Sequence, residues 1–533
     1  MKKRPVAMNI LDRAVSFFAP RAAIRRQAAR MMLSVMGGRR SFDAVAGGRL
    51  RSDWTNIVRD ADSANVNSLS ALRNNVRHLT RNTGLVSGPL KRVTNNVIGA
   101  GIRPQARVKA DGPYDSNDPQ TAITPEIAER FNYQAEKLWK QWSKKSDSFL
   151  QMNVYEQMAL GFRGMYGDGE ALVVCRSSKH PARTLPLCLE NVEIDRLCTP
   201  TSEVGNPSIR NGIEFDTEGI PIRYYIRRRH PGSSVVTGKD INDCEAIDAF
   251  SPTGARQVIH LYDILRPGQS RGYTPFAAAL KDIQDLDRYR EAEVVAARIA
   301  ACLAAFIKSP SDYQAYAGLP QDSTGGKRIR EFEPGMIEYL NPGEEINVFS
   351  ANRPNSAMEA FTKNMMRSAA NAVDVPYEVF ANDWSGLNYS NARTVLLQAY
   401  LGFRIYQIYV VNHLCVPIWE NVIADGLISG KLEAPGFEMR REDYLTSVWI
   451  PPGWQWVDPV KEATGKKLEV ENNFETLGDI LASKGKDLDE TLEARALELK
   501  KIKKLEDKYG VILGKASAPD ATPKTQEEDD DEK

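Results

Sequence analysis

Apolar residues recur at spacings of three and four along most of this chain and give way to strand-like runs mainly between residues 170 and 265. Leu72, Val76 and Leu79, then Leu90, Val93 and Val97, predict helices over 70–100. Thr124-Pro125 is a helix start: threonine caps free amides and proline suits the first turn. Ile127, Phe131, Ala135, Leu138 and Trp142 continue that helix, and 153–164 reads as another. Gly167-Asp168-Gly169-Glu170 then reads as a turn with solvated carboxylates, followed by the strand Ala171–Cys175. Residues 185–265 are β-rich. Ile213–Phe215 and Ile220–Ile226 flank the hairpin signal Asp216–Gly219, and Val258–Tyr262 is a further strand.

At Thr274-Pro275 the pattern turns helical to about Ile307. Charge dominates the first half (Lys281, Asp282, Asp285, Asp287, Arg288, Arg290, Glu291, Glu293), and the second half is Ala-rich. A helix of that extent would be about 48 Å long and suggests an assembly element. Residues 308–358 mix turn signals with a strand candidate at 336–340, and helix returns at 357–373 before Pro376. Residues 380–390 are polar and irregular. A long helix follows over 391–424, with Val395, Leu396, Tyr400, Phe403, Tyr406 and Val410, and Pro417 is expected to kink or end it. Residues 431–463 are rich in Trp and Pro, and 464–509 is helical and charged. Residues 1–50 form a basic arm with Ile24, Ala28, Met31, Met32 and Val35 near helical spacing; Glu527–Lys533 is an acidic tail.

Composition narrows the function. The chain has 533 residues, more than one typical domain, and 70 Lys plus Arg against 69 Asp plus Glu. Strong non-specific DNA binding draws on a basic excess, so any DNA-facing surface must be local. Six cysteines without a CxxC pair read as buried free thiols in a reducing compartment, and five scattered histidines argue against a metal site. No apolar run reaches a membrane span, and arginines interrupt the N-terminal stretch, so the chain is expected to be cytosolic when made, with no membrane partner. A phosphate loop is absent: Gly326-Lys327 is followed by Arg328, and Gly465-Lys466 by Lys467. HExxH and GxSxG are absent as well. No catalytic residue, metal or cofactor is expected, and the chain is read as a non-enzyme.

Several segments, in order, resemble the lambda-type family of tailed-phage portal proteins. They are the stretch from Leu72-Arg73 to Gln105 containing Asn-Val-Ile-Gly-Ala-Gly-Ile-Arg-Pro; Gly169-Glu170-Ala171-Leu172-Val173; Ser270-Arg271-Gly272-Tyr273-Thr274-Pro275; Leu340–Glu344; Val375-Pro376-Tyr377-Glu378 with Asn388-Tyr389-Ser390-Asn391-Ala392-Arg393; and Val457–Glu462. Asn391 stands where the family usually has a second serine. The resemblance spans roughly residues 50–510. The readings set against it are a DNA-processing enzyme, such as a nuclease or packaging ATPase, or another neck or capsid protein.

It implies an α+β, mostly helical portal fold in a homo-oligomeric ring of twelve copies. Beyond the 1–50 arm, the parts would be a wing (51–270), a first stem helix (271–307), a clip (308–356), a second stem helix (357–375), a tunnel loop (376–391), a long wing helix (392–430), a crown (431–510) and the acidic tail (511–533). The implied partners are double-stranded DNA threading the channel, the terminase large subunit, capsid and scaffold proteins, and head–tail joining proteins, at the portal vertex of the virion. The expected channel lining is Lys281, Asp282, Asp285, Arg288, Asn382, Asp383, Trp384 and Asn388.

Overall fold

Helix α1 (Ala61–Asn82) runs into α2 (Gly84–Val97) through Thr83, whose side chain accepts from the Leu85 amide at 3.3 Å. The structure is a computed structural model and describes residues 58–112, 122–234, 243–252, 254–301, 305–308, 345–348, 358–454, 459–484 and 486–510. After β1 (Arg103–Ala106), Thr124 caps α3 (Pro125–Trp142), as its sequence predicts, and an Asn153–Glu156 capping box starts α4 (Val154–Asp168).

Seven strands follow: β2 (Glu170–Ser177), β3 (Leu187–Val192), β4 (Ile209–Arg210), β5 (Ile213–Phe215), β6 (Pro221–Arg227), β7 (Cys244–Asp248) and β8 (Val258–Tyr262). They form two antiparallel sheets, in the orders β3-β2-β8 and β4-β5-β6-β7. The unbroken apolar run on β2 has a direct cause. Ala171, Val173 and Cys175 point into the main core, while Leu172 and Val174 point into a second core with Ile213, Tyr224, Ile226 and Ile247. Alternate side chains leave a strand on opposite faces, so burial on both faces requires every position to be apolar.

The helix expected from 274 opens instead with a 3₁₀ turn, Pro275–Ala278, and its regular part, α5, is Leu280–Ala301. The Thr274 side chain caps the turn by accepting from the Phe276 amide at 3.1 Å. Then β9 (Ala305–Lys308) pairs with β10 (Glu345–Val348), with Lys308 opposite Glu345. Helices α6 (Met358–Ala372), α7 (Tyr377–Ala381) and α8 (Tyr389–Val410) follow. Pro417 does not end the helical run. A π turn at Val411–Cys415 widens it, Pro417 falls in the first turn of α9 (Val416–Ile428), and the run continues to Ile428. The chain closes with α10 (Arg441–Leu445), β11 (Ser447–Ile450), α11 (Pro459–Glu471), α12 (Leu477–Ser483) and α13 (Leu488–Tyr509). The N-terminal arm, the strand expected at 336–340 and the acidic tail lie outside the described residues.

The main core joins distant stretches of sequence. Trp139 packs on Trp142, Trp419 and Trp449 with ring centroids 5.3–5.8 Å apart, and Phe131 meets Tyr444 edge-on at 4.9 Å. Strand β11 pairs with β1, Arg103 opposite Ile450, which draws the Trp-rich segment onto α3. Among the described residues, no helix is long and apolar enough to cross a membrane.

Candidate functional site

Glu170 begins β2 and is wholly buried, with 0% side-chain exposure. Three elements bring cations or donors to it. Arg73 on α1 donates from Nη2 to Oε1 at 2.9 Å. Arg271, just before the 3₁₀ turn, donates from Nε to Oε2 and from Nη2 to Oε1, both at 2.7 Å. His260 on β8 lies with Nε2 3.0 Å from Oε2. Around this centre, Arg73 also reaches Asp195 at 2.7 Å, and Arg77 joins Asp195 at 2.6 Å to Asp168 at 3.0 Å. Three guanidiniums (Arg73, Arg77, Arg271) thus meet three carboxylates (Glu170, Asp168, Asp195). The expectation of solvated turn carboxylates at Asp168 and Glu170 is overturned: the turn folds inward because partners from α1 and from 271 satisfy its charge.

Burial works against the Glu170 charge, but Arg271 and His260 outweigh it and hold the carboxyl far below its usual range. Burial lowers the His260 pKa against the pull of Glu170, so the ring is neutral near pH 7 and donates Nε2–H to the carboxylate. Its buried Nδ1 then has no hydrogen-bond partner. Asp168 is raised by burial although Arg77 opposes the shift, and Asp195 is lowered because Arg73 and Arg77 overcome its burial.

Two glycines let the backbones close over this network. A Cβ on Gly272 would sit 2.2 Å from the Gly169 carbonyl oxygen, and one on Gly169, at φ +96°, would sit 2.4 Å from the Thr274 amide nitrogen. Three of the segments quoted above, those holding Arg73, Gly169-Glu170 and Arg271-Gly272, therefore converge on one point. It joins α1, the central strand and the entry to α5.

The residues expected to line a channel fall in two places. On α5, Lys281, Asp285 and Arg288 are exposed, whereas Asp282 accepts from the Ser368 hydroxyl of α6 at 2.8 Å. The second group occupies the loop between α7 and α8. Asn382 ends α7 in a left-handed conformation, φ +56°. Asp383 accepts from the Tyr377 hydroxyl at 2.8 Å and the Ser385 amide at 3.1 Å. The Ser385 hydroxyl and Tyr377 bring the Asp383 pKa down to about 2. Trp384 is 37% exposed, its Nε1 3.3 Å from Asn382 Oδ1. Asn388 caps α8, accepting from the Asn391 amide at 2.8 Å. The irregular stretch is thus 382–388, shorter than expected, because 377–381 is helical.

Helix α8 carries a feature the sequence reading passed over. Ala399, Phe403, Gln407 and Val410 face the core of the chain, and on the opposite side Leu397, Leu401, Ile405 and Ile408 are exposed. The signal was present, since both stripes recur at spacings of three and four, but only one was read.

These elements define a structural class: a mostly helical α+β subunit with a two-sheet lobe, a charge-clamped junction and an apolar helix face left open. The model of the family described as phage portal protein, lambda family, matches residues 47–407, and the chain belongs to that family, with a portal role at the capsid vertex. The chain is similar to a probable portal protein of Halomonas phage phiHAP-1, 27% identical over 507 residues and 92% of each chain. It is similar also to portal protein B of Escherichia phage lambda, 20% identical over 85% of this chain and 89% of the relative. Among solved structures, a chain in the neck of an empty gene transfer agent particle aligns with TM-score 0.44 and 12% identity, over 79% of this chain and 93% of that one.

Proposed function

We propose that copies of this chain close into a ring, twelve in number, whose channel passes double-stranded DNA into and out of the capsid. The observation that carries self-assembly is α8. Helix α8 carries apolar residues on two sides, and one side is covered by its own chain while Leu397, Leu401, Ile405 and Ile408 await a neighbour. Light scattering and negative-stain imaging of the purified chain test this. Rings with a central channel are expected; only monomers or dimers, even with capsid proteins present, would overturn the proposal.

In this reading α5 and α6 form the stem, 308–356 the clip that docks the terminase large subunit and head–tail joining proteins, and 382–388 the tunnel loop. Capsid and scaffold proteins surround the ring. Lys281, Asp285, Arg288 and the tunnel-loop residues face the bore, and the balance of charge, +1 overall, lets DNA slide rather than bind. ATP is hydrolysed by the partner motor. ATPase or nuclease turnover that co-purifies with rings, and vanishes when one residue of this chain is mutated, would refute that part.

A further inference from the structure

Among the described residues, Cys198 and Cys244 stand apart from the other thiols. Cys175, Cys188 and Cys415 are buried, whereas Cys198 and Cys244 are half-buried at the end of the four-stranded sheet. Their sulfurs lie 3.1 Å apart, closer than an unbonded contact of two sulfurs usually is.

The backbone holds both in place. Cys244 opens β7 opposite Arg227, and the Cys198 amide donates to the Tyr225 carbonyl of β6 at 3.1 Å. Gly212 allows the segment carrying Cys198 to cross closely, because a Cβ there would sit 2.8 Å from the Cys198 amide nitrogen. The Gly212 amide donates to the Thr199 side chain at 3.1 Å, pinning the crossing from the other side. Cys244 thus sits on strand backbone and Cys198 on a segment hydrogen-bonded to β6, and a bond of about 2.05 Å asks for roughly 1 Å of further approach.

We propose that Cys198 and Cys244 are a disulfide-forming pair that a peroxide oxidises, locking the four-stranded sheet of the wing. One thiol gives up its proton and the thiolate attacks an oxygen of hydrogen peroxide; the O–O bond breaks, the sulfenic acid forms, and the departing hydroxide takes up that proton and leaves as water. The second sulfur then attacks that sulfur, the S–S bond forms, and the hydroxyl leaves as a second water. Two thiols are oxidised and one peroxide is reduced. Burial and the neighbouring thiol push the Cys198 thiol up to about 12, with Arg227 opposing the shift, so Cys198 is held as the thiol at neutral pH. The occasion rests on the portal reading: a particle released from a reducing cell carries its thiols into oxidising surroundings. Closing the bond links the two ends of 198–244 and removes freedom from the unfolded segment.

The test does not depend on ring assembly. The full-length protein is treated with hydrogen peroxide under native conditions, blocked with iodoacetamide and digested with trypsin without reductant. The expected product is the peptide ending at Arg210 joined to the peptide ending at Arg256, absent from C198S and C244S. Cleavage within 199–243 by a limiting protease should slow several-fold on oxidation and recover with dithiothreitol. Alkylation of both cysteines after oxidation, their conversion to sulfinic acids, or cross-links only between chains would each overturn the assignment. Rings that form while the pair stays unlinked would sink this inference alone; linked peptides without rings would sink the portal-ring reading alone.

Discussion

Arg271 grips Glu170 with two parallel hydrogen bonds, Nε to Oε2 and Nη2 to Oε1, both at 2.7 Å, across 101 positions of sequence. A planar guanidinium matches a carboxylate in this fork, and a lysine ammonium cannot reproduce it. Because Arg271 lies four residues before the 3₁₀ turn that feeds α5, the pair fixes the direction in which α5 leaves the sheet.

E170A should be severely destabilising. It leaves Arg73 and Arg271 buried without their central anion, a loss of about 3–5 kcal/mol for breaking a buried pair from one side. R271K, which keeps the charge but loses the fork, should cost about 1–3 kcal/mol. Urea midpoints followed by circular dichroism should fall in the order parent, R271K, E170A; an E170A midpoint equal to the parent would show that the network contributes nothing.

Acidification should weaken the fold in two stages. His260 has a lowered folded pKa, so below its unfolded value of about 6.5 the unfolded chain holds the extra proton and stability falls with pH. Glu170 also has a lowered folded pKa. Its contribution is present above the unfolded value of about 4.3 and is lost as pH drops further. H260Q keeps a donor for the carboxylate and removes the titration. Stability measured from pH 7.5 down to about pH 2 should therefore lose the upper stage in H260Q and retain the lower, which lies below about pH 4.3. An unchanged upper stage would assign it to another group.

G272A should be worse than an ordinary glycine substitution. Its Cβ meets the Gly169 carbonyl oxygen at 2.2 Å and Tyr262 Cβ at 2.5 Å, and the first of these is backbone that cannot swing aside. The expected loss is about 3 kcal/mol or more. G112A, with nothing within 4 Å of its Cβ, serves as the comparison. Equal unfolding midpoints for the two variants would mean that the closely packed backbones can separate without cost.

The double variant L401D/I405D should disperse rings into smaller species while leaving the monomer folded. Leu401 and Ile405 are 69% and 67% exposed, so charge there costs the isolated chain little, but it would be buried against a neighbour. Sedimentation velocity with circular dichroism as a folding control separates the outcomes. Rings of unchanged stability would remove α8 from the interface.

Much of the fold was legible because local rules agreed. Thr124-Pro125 opened a helix where it should, the Asp216–Gly219 hairpin formed, and the apolar run Ala171–Cys175 lies in a strand as expected. Where expectation failed, the deciding partner was far away in sequence. Nothing near Glu170 announces Arg73 or Arg271, which are 97 and 101 positions distant, so its burial could not be read locally. The long helix from 274 was overdrawn because an Ala-rich end carries helical propensity, while the observed chain passes into β9 at Ala305. On α8, apolar residues on two faces blurred the one-sided pattern by which amphipathic helices are read.

The loop at 382–388 carries the last expectation. Asp383 ties the loop to α7, accepting from the Tyr377 hydroxyl and donating its amide to the Glu378 carbonyl at 3.2 Å, and it accepts from the Ser385 amide, while Asn388 caps α8 without a contribution from 383–387. Trp384 is left partly exposed, with its indole nitrogen held by Asn382, in a segment that Gly386, at φ +86°, allows to bend sharply. If this segment projects into the bore, it holds or gates DNA while assembly resides elsewhere. Deleting 383–387 should then leave ring formation intact by negative stain and lower packaged or retained genome in particles assembled with the variant. W384A should show the weaker form of the same defect. Loss of rings on deletion would make the segment a joint between α7 and α8, and normal rings with normal DNA content would leave the loop without a gating role.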